Sequence, residues 1–446
     1  MDSWRTIILA GGRGTRMNSS TPKMLNNICG KPMVGLVVGA TTGAGVADIT
    51  VVIPQGDVRI SDALGTGQSF VEQSEPLGTG HALLEARSSF EGYVGNVIVI
   101  NGDMPLVTSV TISSLIKSHE SNGYQLTFLT SDSVIDKDMG RVVRGTDGSI
   151  IDIVEKEDLV TETGFSNEMN IGVYCFQAPL LWDILDQVPR SASGEIYLTS
   201  LVSVYSSGGY SIGNVALVDP LEGIGVNDGV QLASVRDVMR KRINTEWLLR
   251  GVTIMEPAYI DSDVKLEGDV CIFPNTFIYG DTTIGRESQI GPGSIVVDSY
   301  ISQGCKIVNS MVEGALLEEG VDVGPYSHIR PETHIGKDAH IGNFAEIKKS
   351  ILGHDTQMGH FSYVGDAWVG SNVNIGAGSI TCNFDGVNKN QTVIEDGAFI
   401  GSDSMLVAPV RIGAGSSTSA GSVVTRDVPP ESRAIGVPAR IFPKNQ

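Results

Sequence analysis

The feature that most constrains the fold of this chain is an aliphatic residue at every sixth position in its second half. The spacing runs unbroken from Ile254 to Val296, by way of Ile260, Leu266, Ile272, Ile278, Ile284 and Ile290. It slips near residue 300 and returns at Ile335, Ile341, Tyr363, Val369, Ile375, Ile400, Leu406, Ile412 and Val424. A helix repeats about every 3.6 residues and a strand every two, so neither produces this period. We predict a parallel β-helix with one aliphatic side chain of each short strand turned inward; the alternative is a glycine-rich β-sandwich with accidental spacing.

The segment 381–392 (TCNFDGVNKNQT) interrupts the six-residue period. Polar loops that project from a rigid scaffold often carry binding and catalytic residues. We therefore expect a functional loop at this point of the β-helix.

The first 228 residues alternate short β-branched runs with longer segments that are compatible with helices. Ile7–Ala10, Ile49–Ile53 and Val97–Ile100 are such runs, each bounded by Gly, Asn or Asp. This alternation is typical of βαβ units. We predict an α/β doubly wound, Rossmann-like domain with a mostly parallel sheet over residues 1–228.

Residues 229–250 follow a helical pattern. Apolar residues recur there at steps of three or four, at Leu232, Val235, Met239, Ile243 and Trp247. Asn227 and Asp228 can cap the start of a helix, and Gly251 can end it. We predict a linker helix over 229–250, followed by the β-helix domain over 251–446.

Charge and cysteine usage restrict the partners and the compartment. The net charge of −20 argues against nucleic acid or an anionic membrane as the partner. The five cysteines are dispersed and form no CxxC pair, and no segment resembles a signal peptide or a bilayer span. We expect a cytoplasmic protein whose anionic ligands are bound by a few local basic residues.

A glycine-rich turn follows the first predicted strand. It reads Leu9-Ala10-Gly11-Gly12-Arg13-Gly14-Thr15-Arg16-Met17 and is followed by Pro22-Lys23. Glycines at such a turn let backbone N–H groups approach phosphates, while Arg16 and Lys23 supply positive charge. The spacing fits neither the dinucleotide fingerprint nor the P-loop. The string closely resembles the signature of sugar-phosphate nucleotidylyltransferases.

A second polar segment follows the strand Val97–Ile100. Asn101-Gly102-Asp103 places a carboxylate at a strand's C-terminal end, where open α/β sheets bind ligands. Oxygen ligands of this kind suit Mg²⁺, which bridges substrate phosphates.

Motifs along nearly the whole chain resemble the family of bifunctional N-acetylglucosamine-1-phosphate uridyltransferases/glucosamine-1-phosphate acetyltransferases (the GlmU type). The later motifs are Arg330-Pro331, 342–349 (GNFAEIKK), 359–366 (GHFSYVGD), 374–378 (NIGAG) and 381–386 (TCNFDG). The resemblance implies a left-handed β-helix with three hexads in each coil, and chains that associate as homotrimers.

For the N-terminal domain, the resemblance implies a site for UTP and N-acetylglucosamine 1-phosphate. Asp103 and Asn227 would hold Mg²⁺, while Arg16 and Lys23 would neutralise the leaving pyrophosphate. The nucleotide and sugar contacts would come from Leu9, Ala10, Gly11, Gly12, Lys23, Gln73, Gly78, Thr79, Asn101, Gly102, Asp103, Gly140, Glu155, Asn170, Tyr197, Thr199 and Asn227.

For the β-helix, the resemblance implies acetyl transfer from acetyl-CoA to glucosamine 1-phosphate. His360 would be the general base, and Glu346 would orient its other ring nitrogen. The sugar phosphate would contact Arg330, Lys348, Tyr363, Asn374 and Lys389, and acetyl-CoA would contact Ala377, Asn383, Phe384, Ser402 and Ala420. Near the C-terminus the chain lacks the family's last-coil Arg, for which Arg440 is a candidate substitute.

Two spacings in the β-helix can be checked by arithmetic. Arg330 and Lys348 are eighteen residues apart, one coil of three hexads, so they should lie on neighbouring strands as a clamp for a sugar phosphate. His328, His334 and His340 are six apart, so they should lie on three different faces and cannot converge on a metal ion.

We therefore predict an enzyme with two activities, acetyl transfer and Mg²⁺-dependent uridylyl transfer. Two alternatives remain at this point. The first is a single-activity nucleotidylyltransferase whose β-helix is structural or regulatory. The second is a scaffold subunit without catalytic activity.

Overall fold

A computed structural model describes residues 4–12, 14–133, 139–156, 167–191 and 194–444. Arg13 of the glycine-rich turn lies outside these residues. The chain divides into two compact units, Met1–Met239 and Arg240–Gln446. This division falls inside the predicted linker helix, which spans Gly229–Leu249. The Asp228 carboxylate caps it by accepting from the N–H groups of Val230 and Gln231 at 2.8 and 2.9 Å.

The first unit is an α/β fold. Its described strands are β1 Trp4–Leu9, β2 Asn27–Ile28, β3 Lys31–Pro32, β4 Ile49–Pro54, β5 Ser69–Gln73, β6 Asn96–Asn101, β7 Leu126–Ser131, β8 Arg141–Arg144, β9 Ile150–Val154, β10 Met169–Gln177 and β11 Ile212–Ala216. Its helices are α1 Met33–Gly43, α2 Arg59–Leu64, α3 Thr79–Glu85, α4 Ser109–Asn122, α5 Ala178–Leu185, α6 Leu201–Ser207 and the start of α7 Gly229–Leu249. The main sheet has the order β11-β7-β10-β6-β1-β4-β5, and only β10 runs antiparallel to its neighbours along this path.

Both faces of this sheet are covered by helices. On one face, β1 and β6 pack against α3, α5 and α6 through residues such as Ile7 and Val99. On the other face, the alternate residues Ile8 and Ile100 pack against α1 and α4. A strand buried on both faces reads as a continuous apolar run, which is why these runs were visible in the sequence. The doubly wound prediction is confirmed.

The second unit is a parallel β-helix with three faces. Face 1 consists of Thr253–Ile254, Cys271–Ile272, Gln289–Ile290, Lys306–Ile307, Asp322–Val323, His340–Ile341, Gln357–Met358, Asn374–Ile375, Phe399–Ile400, Ser417–Thr418 and Ser432–Ile435, with Arg440–Pro443 added antiparallel. Face 2 consists of Ala258–Ile260, Thr276–Tyr279, Ile295–Val297, Met311–Glu313, His328–Ile329, Ala345–Lys348, Ser362–Gly365, Ile380–Cys382, Met405–Val407 and Val423–Val424. Face 3 consists of Lys265–Leu266, Thr283–Ile284, Tyr300–Ile301, Ala315–Leu317, Thr333–Ile335, Ile351–Leu352, Ala367–Val369, Thr392–Ile394 and Val410–Ile412.

The six-residue period has the predicted cause, because one aliphatic residue of each strand fills the interior. Ile272, Ile278 and Ile284 are fully buried on faces 1, 2 and 3 of one coil. One assignment was wrong: Val364 points inward with 2% exposure, whereas Tyr363 points outward. The step from Val364 to Val369 is five residues, so counting back by six from Val369 reaches the neighbouring, outward position.

The predicted interruption is also present. Strand pairing before it has offsets of 16 to 18 residues, as in Lys306↔Asp322, Glu346↔Tyr363 and His328↔Glu346. Across it the offset is 25, as in Ala367↔Thr392. The extra residues form a loop that closes on itself, with the N–H of Asn390 donating to the carbonyl of Asn383 at 2.7 Å. Among the described helices, none is both long and apolar enough to cross a bilayer.

Candidate active sites

The turn after β1 and the segment after β6 meet at one edge of the N-terminal sheet. In the parallel β1–β6 pair, Leu9 lies beside Asn101. The N–H of Gly102 donates to the carbonyl of Leu9 at 2.9 Å. Carboxyl ends of parallel strands share an edge, so the glycine-rich turn and Asp103 come together there.

Two adjoining cavities open at this edge. The smaller has a volume of about 230 Å³ and the larger about 300 Å³. Of the predicted residues, the smaller is lined by Leu9, Gly11, Gly12, Lys23, Gln73, Gly78, Thr79, Asn101 and Asp103. The larger is lined by Gly78, Thr79, Asn101, Asp103, Gly140, Glu155, Asn170, Tyr197, Thr199 and Asn227. Ala10 and Gly102 line neither; both support the turn, and Ala10 is fully buried.

Two side-chain oxygen atoms and two basic side chains lie close together beside the two cavities. The Lys23 ammonium is 2.6 Å from Asp103 Oδ2 and 3.1 Å from Asn227 Oδ1. The Arg16 guanidinium also donates to Asn227 Oδ1, at 3.1 Å. The two oxygens predicted to hold Mg²⁺ thus converge on one positively charged group. Their hard oxygen chemistry and convergence fit Mg²⁺.

Gly11 lies at the wall of the smaller cavity, where a larger residue would not fit. A Cβ at Gly11 would lie 2.1 Å from Gln73 Oε1, so any side chain there would displace the buried Gln73 amide. Gln73 Nε2 donates in turn to the carbonyl of Gly78 at 3.2 Å. Thr79 uses its hydroxyl to accept from the N–H of Leu198 at 3.0 Å.

Carboxylate and amide groups line the larger cavity. The Thr199 hydroxyl donates to Glu155 Oε1 at 2.6 Å. Asn170 Nδ2 donates to the Tyr174 hydroxyl at 2.6 Å. Glu195 lines both cavities and Tyr174 lines the larger one, and neither residue was predicted from the sequence. Glu195 lies two residues before Tyr197, which the motif did mark, whereas Tyr174 reads as an ordinary apolar strand position.

The three predicted phosphate-binding cations, Arg330, Lys348 and Lys389, lie close together beside face 2. The register His328↔Glu346 continues to place Arg330 beside Lys348, as the spacing predicted. The nearby Lys389 ammonium lowers the pKa of Lys348, Arg330 adds to this effect, and Asp366 opposes it. Arg330, Lys348 and Lys389 bring three positive charges together, while Arg330 is also paired with the Glu346 carboxylate. Such a cluster of cations is typical of a phosphate site.

Glu346 has a different partner from the one predicted. Its carboxylate accepts from the Arg330 guanidinium at 2.6 Å. In the strand register Glu346 lies beside Tyr363, while the position beside His360 is Asn343. Its role in orienting His360 stays a prediction.

His360 lies exposed at the corner between faces 1 and 2. The register Gln357↔Asn374 places it beside Ala377. Backbone bonds extend this column, because the N–H of Asp403 donates to Ala377 O at 2.7 Å and the N–H of Gly421 to Ser402 O at 2.8 Å. The predicted base and the predicted acetyl-CoA residues Ala377, Ser402 and Ala420 therefore follow one corner of the prism.

The projecting loop reaches face 2. Asn383 Nδ2 donates to Asp366 Oδ2 at 2.5 Å and lies 3.5 Å from the Tyr363 hydroxyl. The Tyr363 ring lies over Gly365, whose added Cβ would be 2.3 Å from the hydroxyl. Phe384 forms a β-bridge with Lys389 in the same loop and is 60% exposed. Asn374, in contrast, lies on face 1 and is not brought together with the face 2 residues.

The histidines separate as predicted. His328, His334 and His340 lie on faces 2, 3 and 1, and each faces a carboxylate of the preceding coil, Glu313, Glu318 and Asp322 respectively.

Comparison with known proteins agrees with both halves of the fold. Residues 6–185 match the MobA-like NTP transferase domain family. Residues 284–365 match the GlmU-like C-terminal hexapeptide family, and residues 391–426 match the bacterial transferase hexapeptide family.

Curated relatives cover almost the whole chain. "Bifunctional protein GlmU" of Exiguobacterium sibiricum is 42% identical over 432 residues, 96% of each chain. The protein of the same name from Heliobacterium modesticaldum is 41% identical over 96% of this chain and 94% of its own length. That of Streptococcus thermophilus is also 41% identical, with the same coverage. These matches confirm the family resemblance and the prediction of a nucleotidyltransferase joined to an acetyltransferase. The chain belongs to the GlmU family of bifunctional proteins.

Proposed function

We propose that the chain carries its two transferase activities at the two sites described above. The smaller N-terminal cavity takes UTP and the larger takes N-acetylglucosamine 1-phosphate, and their reaction releases pyrophosphate. The residues along the corner between faces 1 and 2 of the β-helix transfer the acetyl group of acetyl-CoA to glucosamine 1-phosphate, and Arg330, Lys348 and Lys389 bind the sugar phosphate. The main observation in support is that each site has its own cluster of positively charged side chains, next to the residues that its reaction needs.

The N-terminal geometry supports uridylyl transfer. A phosphate oxygen of the sugar attacks the α-phosphorus of UTP, the new P–O bond forms, and the bond to pyrophosphate breaks. Lys23 lines the smaller cavity and Arg16 contacts Asn227 of the larger one, so that both stabilise the negative charge that accumulates on the phosphates. Asp103 and Asn227 would hold Mg²⁺, which would help to neutralise the negative charge of the phosphates.

The β-helix geometry supports acetyl transfer. Arg330, Lys348 and Lys389 bind the sugar phosphate and thereby fix the 2-amino group near the corner column. The amine nitrogen attacks the thioester carbonyl, the C–N bond forms, and the C–S bond breaks to release CoA. The exposed His360 imidazole accepts the proton that the nitrogen loses. Asn383 and Phe384 of the loop border the acetyl-CoA path.

Reciprocal variants test the two sites. His360→Ala should abolish the release of free thiol from acetyl-CoA and leave pyrophosphate release from UTP unchanged. Asp103→Ala should do the converse and weaken the dependence of pyrophosphate release on Mg²⁺. Each variant is the control for the other, because the second activity reports that the protein is folded. Full pyrophosphate release by Asp103→Ala would refute the metal assignment, and no thiol release by the unmodified chain would leave a single-activity nucleotidylyltransferase.

We also propose that the chain works as a homotrimer in the cytoplasm. Asn374 lies on face 1, whereas Arg330 and Lys348 lie on face 2. A trimer would place face 1 of one copy against face 2 of another and so bring the predicted set together. Face 3 carries partly exposed apolar side chains, including Tyr300 and Trp368, that another copy could cover. Mixing His360→Ala with Asn374→Ala chains tests this. Shared sites restore part of the acetyl transfer, whereas a monomer in light scattering refutes it. The dispersed cysteines support a reducing compartment.

A further inference from the structure

Tyr174 combines a core position with a polar group at the wall of the larger N-terminal cavity. The side chain lies in strand β10 and is 1% exposed. Its ring packs against Phe128 and Phe176, with centroids 6.0 and 5.8 Å away. A buried phenol needs a partner for its hydroxyl, and here that group reaches the cavity wall.

The partner of this hydroxyl is Asn170. Asn170 Nδ2 donates to the Tyr174 oxygen at 2.6 Å, and the N–H of Gly172 donates to Asn170 Oδ1 at 3.3 Å. Both ends of the amide are therefore held. Reversing the amide would set its NH₂ group against the Gly172 N–H, where two donors would face each other.

A local distortion of the strand makes this arrangement possible. The register between β10 and β7 shifts between Asn170 and Tyr174, and Gly172 within this bulge has a φ of +75°. A Cβ at Gly172 would lie 2.6 Å from Asn101 Nδ2, so only glycine fits here. Bulges next to a site re-aim side chains, and this one turns Asn170 toward the cavity.

We infer that Tyr174 is a positioning residue for the sugar 1-phosphate in uridylyl transfer, acting through the Asn170 amide. The inference rests on the proposed placement of the sugar in the larger cavity. Without the phenolic oxygen, the Asn170 amide would lose its short hydrogen bond and could rotate away from the geometry that the sugar requires. Binding of UTP, for which the smaller cavity is proposed, does not depend on this amide.

A second buried tyrosine provides a matched control. Tyr205 belongs to the same core and is fully buried. Within the described part of the chain, its hydroxyl has no hydrogen-bond partner. Replacing Tyr205 by Phe removes the same oxygen from the same core without affecting any amide.

The test is a steady-state comparison of the full-length Tyr174→Phe, Tyr205→Phe, Asn170→Ala and Tyr174→Phe/Asn170→Ala variants. Tyr174→Phe should raise the KM for N-acetylglucosamine 1-phosphate roughly five- to twentyfold, the range for one lost buried hydrogen bond, with the KM for UTP unchanged. Tyr205→Phe should change neither. In the Asn170→Ala background, Tyr174→Phe should add less than about twofold, because residues that act as one unit are not additive.

Each outcome decides a different point. If Asn170→Ala raises the KM for N-acetylglucosamine 1-phosphate and Tyr174→Phe does not, the role of Tyr174 is refuted, while the proposed function is unaffected. Fully additive effects, or equal effects of Tyr174→Phe and Tyr205→Phe, would show a merely structural role and also overturn it. An unchanged sugar KM in Asn170→Ala would remove the sugar assignment of the cavity, and the inference with it.

Discussion

Replacing Gly11 by Ala should impair uridylyl transfer through a single steric contact. The added Cβ would lie 2.1 Å from Gln73 Oε1 and 3.1 Å from its Cδ. Carbon and oxygen atoms do not approach so closely, so the Gln73 amide must move. That movement breaks the hydrogen bond from Gln73 Nε2 to the carbonyl of Gly78, at 3.2 Å, within a largely buried site.

The expected magnitude follows from this contact. Losing a buried hydrogen bond and leaving its partners unpaired costs about 2 kcal/mol, which corresponds to a roughly thirtyfold loss in kcat/KM for UTP. The assay is pyrophosphate release at varied UTP concentration. Acetyl transfer, measured as free thiol on the same samples, should stay at the unmodified rate and show that the chain is folded.

A glycine outside both cavities is the control. A Cβ at Gly39, in helix α1, would meet no heavy atom within 4 Å. Gly39→Ala should therefore change kcat/KM for UTP less than about twofold, since surface changes of this kind have small effects. Equal losses in both variants would refute the steric argument, because they would point to a general effect of replacing glycine. Full activity of Gly11→Ala would refute it as well.

Three further results are expected. Lys389→Ala removes the main cause of the lowered pKa of Lys348, so that pKa should rise. Binding of glucosamine 1-phosphate weakens as Lys348 loses its proton. In a profile of KM against pH, the midpoint of this weakening should therefore move to higher pH. Lys349→Ala, at an ion-paired neighbour, should leave that midpoint in place. Ile307→Ala, at a fully buried position, should lower the free energy of unfolding by about 2–5 kcal/mol in chemical denaturation. Ile435→Ala, at a position that is 40% exposed, should lower it by less than about 1 kcal/mol. Equal losses would contradict the assignment of Ile307 to the interior. Removal of divalent cations by EDTA should stop pyrophosphate release and spare thiol release, and loss of both would contradict a metal requirement confined to the N-terminal site.

Much of this protein could be predicted from its sequence because the relevant signals are local or periodic. An inward residue in every hexad encodes the β-helix, so the eighteen-residue separation of Arg330 and Lys348 already implied neighbouring strands. Glycines and a carboxylate after two apolar runs likewise predicted one shared edge, where Leu9 and Asn101 are paired. The motifs also identified the family, and the family resemblance supplied the roles proposed for the site residues.

Other features were decided only by the tertiary structure. The short step between faces 2 and 3 moved the inward position from Tyr363 to Val364, and periodicity alone does not say which corner loses a residue. Glu346 is paired with Arg330 rather than placed beside His360 in the strand register. The Gln73 side chain fills the space where Gly11 has no side chain, although the two residues are 62 positions apart in the chain.

The physical reason for this division is the range of the interactions involved. Burial of one side chain per short strand repeats along the chain, so the order of residues by itself determines which of them face the interior. Hydrogen bonds, steric contacts and charge clusters instead depend on distances between side chains from separate strands and loops. Sequence determined the scaffold and the edge or corner at which each site lies, and tertiary structure decided which groups there hold one another.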